Sequence, residues 1–149
     1  MKVEAFLVVS TVNVIIGQRL IRKLCETKEK YFLTKPQIES LGKKIDLDRV
    51  LSLLKEEKVV AKDAAWEKIP LYKPKPSKES EDGFKGRVGI HEVLKVTNTI
   101  RELVIQEKSS SEIEAQARKE GMMTMLEDGI FKAVQGITTI EEVLRVISE

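Results

Sequence analysis

The sequence predicts an α+β fold in which α-helix predominates, and three observations carry that expectation. The last third of the chain is divided into short helical stretches by recognisable start and stop residues. A glycine-rich apolar stretch from Gly83 to Leu94 places a short β element near 84–96. With 149 residues, 42% of them hydrophobic, the chain is long enough to bury a core.

Taken in order, Val3, Phe6, Leu7, Ile16, Leu20, Ile21 and Leu24 return at helical intervals, which predicts a helix over 1–24 with a basic end at Arg19, Arg22 and Lys23. The β-branched cluster Val12, Val14, Ile15 and Ile16 suits a strand equally well, and Gly17 is placed to break a helix there. Asp46 stands as an N-cap before Val50, Leu51 and Leu54 at helical spacing. Pro70 to Asp82 holds three of the four prolines in an otherwise polar stretch and reads as a loop or hinge. The following Gly83–Leu94 segment has period-two character at Val88 and Ile90, predicting a short strand pair or hairpin.

Beyond it the signals are helical. Ser111 with Glu114, or Ser109 with Glu112, forms a capping box, and Gly121 closes that helix. Met122, Met125, Leu126 and Ala133 share a face that ends at Gly136. Thr139 with Glu142 caps a final helix whose Ile140, Val143, Leu144 and Ile147 fall at i, i+3, i+4 and i+7, with Leu144 at the centre of the apolar face. The methionines read as core filler.

The net charge of +2 is too small to select a nucleic-acid or membrane partner, but its distribution is uneven. Arg19 to Lys44 carries eight basic residues against three acidic ones, whereas Thr97 to the end carries six against ten. Two such surfaces can meet between neighbouring subunits or simply be solvated unevenly. A single cysteine, Cys25, excludes an intrachain disulfide and fits a reducing compartment, so the chain reads as cytosolic. The apolar run Ala5–Ile16 is interrupted by Ser10, Thr11 and Asn13 and falls short of the ~20 residues of a membrane span. Glu4 and the amphipathic continuation after it argue against a signal peptide.

No residue pattern here predicts catalysis or cofactor binding. The Gly-x-x-x-x-Gly-Lys-Ser/Thr loop that cradles phosphates does not occur in the sequence. His91 has no nearby nucleophile pattern to serve as its base. Glu127-Asp128 and Glu141-Glu142 are sequence neighbours that point apart on a helix, and they read as solvated or helix-dipole charges. Gly83, Gly86 and Gly89 supply turn geometry rather than a phosphate loop.

Three separated stretches carry a family resemblance. They are Gly17-Gln18-Arg19-Leu20-Ile21-Arg22-Lys23-Leu24-Cys25, then Gly83-Phe84-Lys85-Gly86-Arg87-Val88-Gly89-Ile90-His91-Glu92-Val93-Leu94, and finally Ala117–Met122 through Asp128-Gly129 to Gly136–Val146. In order and spacing they resemble the C-terminal region of the type II secretion and type IV pilus assembly ATPases, with Gln18, Arg19, Leu20, Gly86, Arg87, Gly89 and Glu92 as the motif positions. Between Cys25 and Tyr72 the match is poor. The resemblance implies the C-terminal part of a RecA-like motor domain, divided as a core helix over 1–24, a zinc-knuckle-like insertion and loop over 25–82, and a β element with a helical subdomain over 83–149. It further implies a cytoplasmic hexamer of such chains, peripheral to the inner membrane without inserting into it, which uses ATP and Mg and engages an inner-membrane platform protein. The nucleotide-site boxes of the family lie upstream of these motifs, so the sequence is expected to be an excised piece or a truncated gene, with no cofactor of its own.

One departure concerns metal. Many members of the resembled family hold zinc with two Cys-x-x-Cys pairs, and the corresponding positions here are Cys25, Lys28, Ser77 and Ser80. One thiolate, a repelling ammonium and two weak hydroxyl donors predict no zinc. The knuckle is then expected to rely on packing of Leu51, Leu54, Trp66 and Tyr72, or to be mobile. Two other readings stand beside the motor: a small helical nucleic-acid-binding module, disfavoured because the last helices are acidic, and a metal-binding hub at Cys25 and His91, which has too few ligands.

Overall fold

The computed structural model describes residues 4–149 and gives an α+β chain. Its elements are α1 (Ala5–Thr11), β1 (Val14–Leu24), β2 (Lys28–Tyr31), α2 (Lys35–Gly42), α3 (Leu47–Glu56), β3 (Leu71–Pro74), β4 (Phe84–Lys95), α4 (Asn98–Ile105), α5 (Ser110–Lys119), α6 (Met125–Val134) and α7 (Ile140–Ser148), with a single 3-10 turn at Trp66–Lys68. Two sheets of two strands each form, β1 with β4 and β2 with β3.

The helix predicted over 1–24 is corrected: α1 ends at Thr11, and the β-branched run becomes β1. Val3 lies outside the described residues. Local branching at Cβ, together with a partner strand 70 residues downstream in sequence, outweighs the helical spacing. That partner, β4, is one long strand rather than a hairpin folded on itself. The stretch expected to be a loop from Pro70 contains β3, which runs antiparallel to β2 with Lys28 opposite Pro74 and Tyr31 opposite Leu71. Pro74 takes the last position of its strand, where a missing N–H disturbs the ladder least.

Caps follow the sequence signals closely. Asp46 accepts from the Arg49 N–H at 3.1 Å, and Ser109 rather than Ser111 forms the capping box with Glu112. The Ser109 N–H and hydroxyl hold the Glu112 carboxyl below its usual range. Gly121 and Gly136 both have φ in the left-handed region, +98° and +78°. After each, paired 6→1 and 5→2 backbone bonds close the helix, Met122 N–H to Ala117 and Gly121 N–H to Arg118 in the first case.

The chain forms two compact units, and these do not follow a division at 24 and 82. One joins Met1–Gln18 with His91–Met125, the other Arg19–Ile90 with Leu126–Glu149. In the first, Val96, Ile100 and Ala117 make a small core against which Val12, Leu94, Val104, Ile113 and Met122 pack. Arg101 fixes the end of α1 there, its Nε donating to the Val9 carbonyl at 2.7 Å and its Nη2 to Asn13 Oδ1 at 3.0 Å.

The second unit has the larger core, including Ile21, Leu24, Val50, Leu54, Ile69, Leu71, Ile130 and Val143. The segment between Cys25 and Tyr72, where the resemblance is silent, is fully built. Trp66 is buried with its indole N–H donating to the Leu47 carbonyl at 3.2 Å, and Leu54 is wholly enclosed. Leu51 and Tyr72 are half-buried. On α7 the buried stripe is Ile140, Val143 and Val146 together with Glu142, so Leu144 sits at the edge of the face and not at its centre. It is half-buried in a groove with Tyr31, Leu33 and Leu41. Burial, then the nearby Glu141 carboxylate, pushes the Tyr31 hydroxyl up to about 12.

Candidate functional site

Within the second unit, the end of β1, the start of β4 and α7 converge on one carboxylate. Thr139 caps α7 by accepting from the Glu142 N–H at 3.0 Å, which is one half of a capping box. The other half is absent because the Glu142 side chain turns away from its own helix start. Its Oε1 accepts from the backbone N–H of Arg22 at 3.0 Å, and its Oε2 accepts from the Arg22 guanidinium at 2.9 Å. Arg145, one turn along α7, donates to both oxygens at 3.1 and 2.8 Å. Burial pushes the Glu142 carboxyl up, but the bonds from Arg145 and Arg22 outweigh that and hold it at about 2.

Around this centre the motif residues take distinct places. The Arg22 guanidinium stacks 4.2 Å from the centroid of the Phe84 ring and lies 3.8 Å from Asp82. Arg19 reaches the Val146 carbonyl in the last turn of α7. Thr138 donates to the Arg22 carbonyl at 2.9 Å, and the Leu24 N–H donates to Ile137 at 2.8 Å. Leu20, Gly86 and Arg87 line an open groove of about 450 Å³ beside Arg22, Phe84 and Arg145. Gln18 is exposed and Gly89 half-buried. Glu92 belongs to the other unit, where its carboxylate accepts from the Met125 N–H at 2.9 Å and satisfies an orphan donor at the start of α6.

All four acidic residues expected to be solvated or helix-dipole charges stand in the first turns of α6 and α7, but one member of each pair is buried rather than solvated. Glu142 is 2% exposed and Glu127 4%. Glu127 accepts from Arg49 Nε at 2.6 Å, joining α6 to α3. A buried carboxylate needs such a partner, and Arg22 and Arg49 are 120 and 78 residues away in sequence, so spacing gave no sign of either pair. The one local signal was Arg145 at i+3 from Glu142. Arg19, Arg22 and Lys28, from the basic run, are engaged in these internal contacts.

The four knuckle positions are brought onto adjacent arms. Lys28 stands opposite Pro74 in the β2–β3 ladder, and the buried Cys25 donates its N–H to Gly83 at 3.0 Å. Ser77 and Ser80 close a turn, with the Ser77 N–H donating to Ser80 at 2.9 Å and Ser80 Oγ lying 2.7 Å from both Asp82 Oδ1 and the Phe84 carbonyl. The Ser80 hydroxyl and the Phe84 N–H keep the Asp82 carboxyl below its usual range. Lys28 Nζ donates to the Gly136 carbonyl at 2.7 Å and lies 5.1 Å from the Tyr72 ring centroid. One thiol, one ammonium already bonded to a carbonyl and two hydroxyls do not fit zinc. Among the described residues no three His, Cys, Asp or Glu side chains are grouped to hold a metal ion, and His91 is exposed on β4.

Lys28→Cys with Ser77→Cys and Ser80→Cys is therefore expected to gain stoichiometric zinc by elemental analysis, the unmodified chain holding well under one equivalent. Without zinc the triple variant melts below the unmodified chain, because it loses the Lys28 staple on Gly136 and Tyr72; zinc recovers that loss by mass action.

Strands bearing the Gln-Arg-Leu and Gly-Phe-Lys-Gly-Arg motifs, fastened to a terminal helix through a buried carboxylate, define a scaffold site. Residues 1–145 match the family model described as type II/IV secretion system protein. The chain belongs to that family. It is 37% identical over its whole length to the type IV pilus assembly ATPase PilB of Pseudomonas aeruginosa, covering 23% of that protein. It is 39% identical over its whole length to type II secretion system protein E of Xanthomonas campestris pv. campestris, covering 24%. Over 97% of its length it is 39% identical to PilB of Thermus thermophilus, covering 14%. The chain thus spans about a quarter or less of the relatives named here. Among the described residues no helix is long and apolar enough to cross a membrane.

Proposed function

We propose that this chain is the C-terminal structural and coupling segment of a RecA-like motor domain, in a hexameric ATPase that powers type II secretion or type IV pilus assembly. The observation that carries this reading is the meeting of two family motifs with the last helix at Glu142. Such a centre ties the C-terminal helix to both long strands, so movement of either strand is passed to α7. The chain supplies no catalytic residue. ATP and Mg are held by the remainder of the motor, whose other partners are neighbouring copies and a platform protein at the cytoplasmic face of the inner membrane.

A direct test replaces the matched segment of the Pseudomonas aeruginosa relative with this chain. The chimera is expected to hydrolyse ATP and assemble pili, and the same chimera carrying Glu142→Ala is expected to lose assembly. Undiminished assembly by that variant would overturn the coupling role. The chain by itself is expected to show no saturable MgATP heat in calorimetry at about millimolar ligand, since its sequence offers no phosphate cradle.

A further inference from the structure

We propose that the groove between α2 and α7 is a docking site for an acidic segment of a partner protein. The segment seats one large apolar side chain in the groove and lays its carboxylates along the lysines beside it.

The groove lies within the second unit and has a volume of about 190 Å³. Its lining is largely apolar: Leu33 and Ile140 are buried, and Tyr31, Leu41 and Leu144 are half-buried. A cavity of about 150 Å³ holds a benzene, so there is room for one side chain of the leucine or phenylalanine kind. The chain itself does not cover this space. None of the eight residues of α2 is buried, although its first turn is capped, the Thr34 N–H donating to Gln37 Oε1 at 2.9 Å. A helix so capped and so poorly covered has a face left for a neighbour.

The rim selects the chemistry of that neighbour. Lys44 lines the groove, and from Lys30 to Lys44 four exposed lysines stand against a single glutamate, Glu39. Among the described residues that line the groove, Glu141 is the one carboxylate, and it is exposed. Burial, then that carboxylate, keeps the Tyr31 hydroxyl protonated as a donor, and Ser40 adds a second hydroxyl. An apolar pocket with cationic and hydroxyl donors at its rim fits an apolar anchor flanked by acceptors, and a basic surface favours an acidic partner. A small anion alone would leave the apolar floor unused. The chain's own helical carboxylates are largely engaged, Glu112 in its capping box, Glu114 by Arg118, Glu120 by Thr97 and Glu149 by Arg145. That favours a foreign segment over a second copy.

Selection of a random-peptide display library on the full chain is expected to enrich peptides in which acidic residues flank a leucine or an aromatic residue. An enriched peptide, synthesised and followed by fluorescence anisotropy, is expected to bind less tightly in added salt. Lys44→Glu and Leu144→Ser are each expected to weaken it about tenfold, and Tyr31→Phe, which removes only the hydroxyl, about threefold. Phe32→Ser, half exposed but outside the groove lining, is expected to leave binding intact. Lys44 is exposed, so Lys44→Glu keeps the chain's melting curve and decides the matter if Leu144→Ser fails to fold. No enrichment, enrichment without an acidic bias, or binding indifferent to Lys44→Glu or to a folded Leu144→Ser would overturn the site. So would self-association in light scattering that Lys44→Glu abolishes, because the occupant would then be a second copy.

Discussion

Glu142→Ala is expected to lower the unfolding free energy by about 3 to 5 kcal/mol, the cost of breaking a buried charge network from its centre. The loss is large because Glu142 bonds four donors, and the Arg22 backbone N–H has no replacement when the carboxylate is removed. The two guanidiniums are each about half exposed and can regain water, which keeps the cost from rising further. Urea denaturation checks the value, and a loss below about 1 kcal/mol would mean that the network holds nothing.

The same group gives the pH dependence a sign. Its carboxyl titrates near 4.5 when unfolded and near 2 when folded, so its contribution is fully present above 4.5 and is lost as pH falls from there toward 2. Across that window the unmodified chain loses about 2 kcal/mol more than Glu142→Gln does, allowing for water around the two arginines.

The second large effect is at Gly129. On helix propensity alone, Gly129→Ala on α6 should stabilise by nearly 1 kcal/mol. A Cβ built there, however, overlaps Val143 Cγ1, and Val143 is fully buried on α7. The overlapping methyls belong to a stiff, β-branched and buried side chain, so packing outweighs propensity, and Gly129→Ala is expected to destabilise by about 2 to 3 kcal/mol. Adding Val143→Ala removes the clashing methyls. The double variant is therefore expected to be more stable than the sum of the single changes predicts, a coupling that a thermodynamic cycle reads directly. A neutral or stabilising Gly129→Ala would show that α6 and α7 are not in contact at this point.

Local chemistry made α3, α5, α6 and α7 legible, whereas α4, capped by Thr97, was not named. Asp46, Thr139, Gly121 and Gly136 act through bonds to atoms a few residues away, so their sequence context contains everything that decides them. The β element near 84–96 was legible for a related reason, because branched and glycine residues at period two already exclude a helix. Leu20, Gly86 and Arg87 were expected as motif positions from the resemblance alone, whereas nothing in the sequence marked out Glu142, with which they line one groove.

What only the tertiary structure decided depends on contacts between distant positions. β1 is a strand because β4 lies alongside it, and the same residues spaced at helical intervals carry no record of that partner. Pro70–Asp82 contributes a strand because β2 offers a ladder to β3. Glu142 and Glu127 are buried because Arg22 and Arg49 arrive from other elements, and a carboxylate leaves water only where such a charge is waiting. Leu144 yields the centre of its helix face to Val143 for the same kind of reason: an amphipathic pattern defines a stripe, and the neighbour packed against it chooses which edge of that stripe is enclosed.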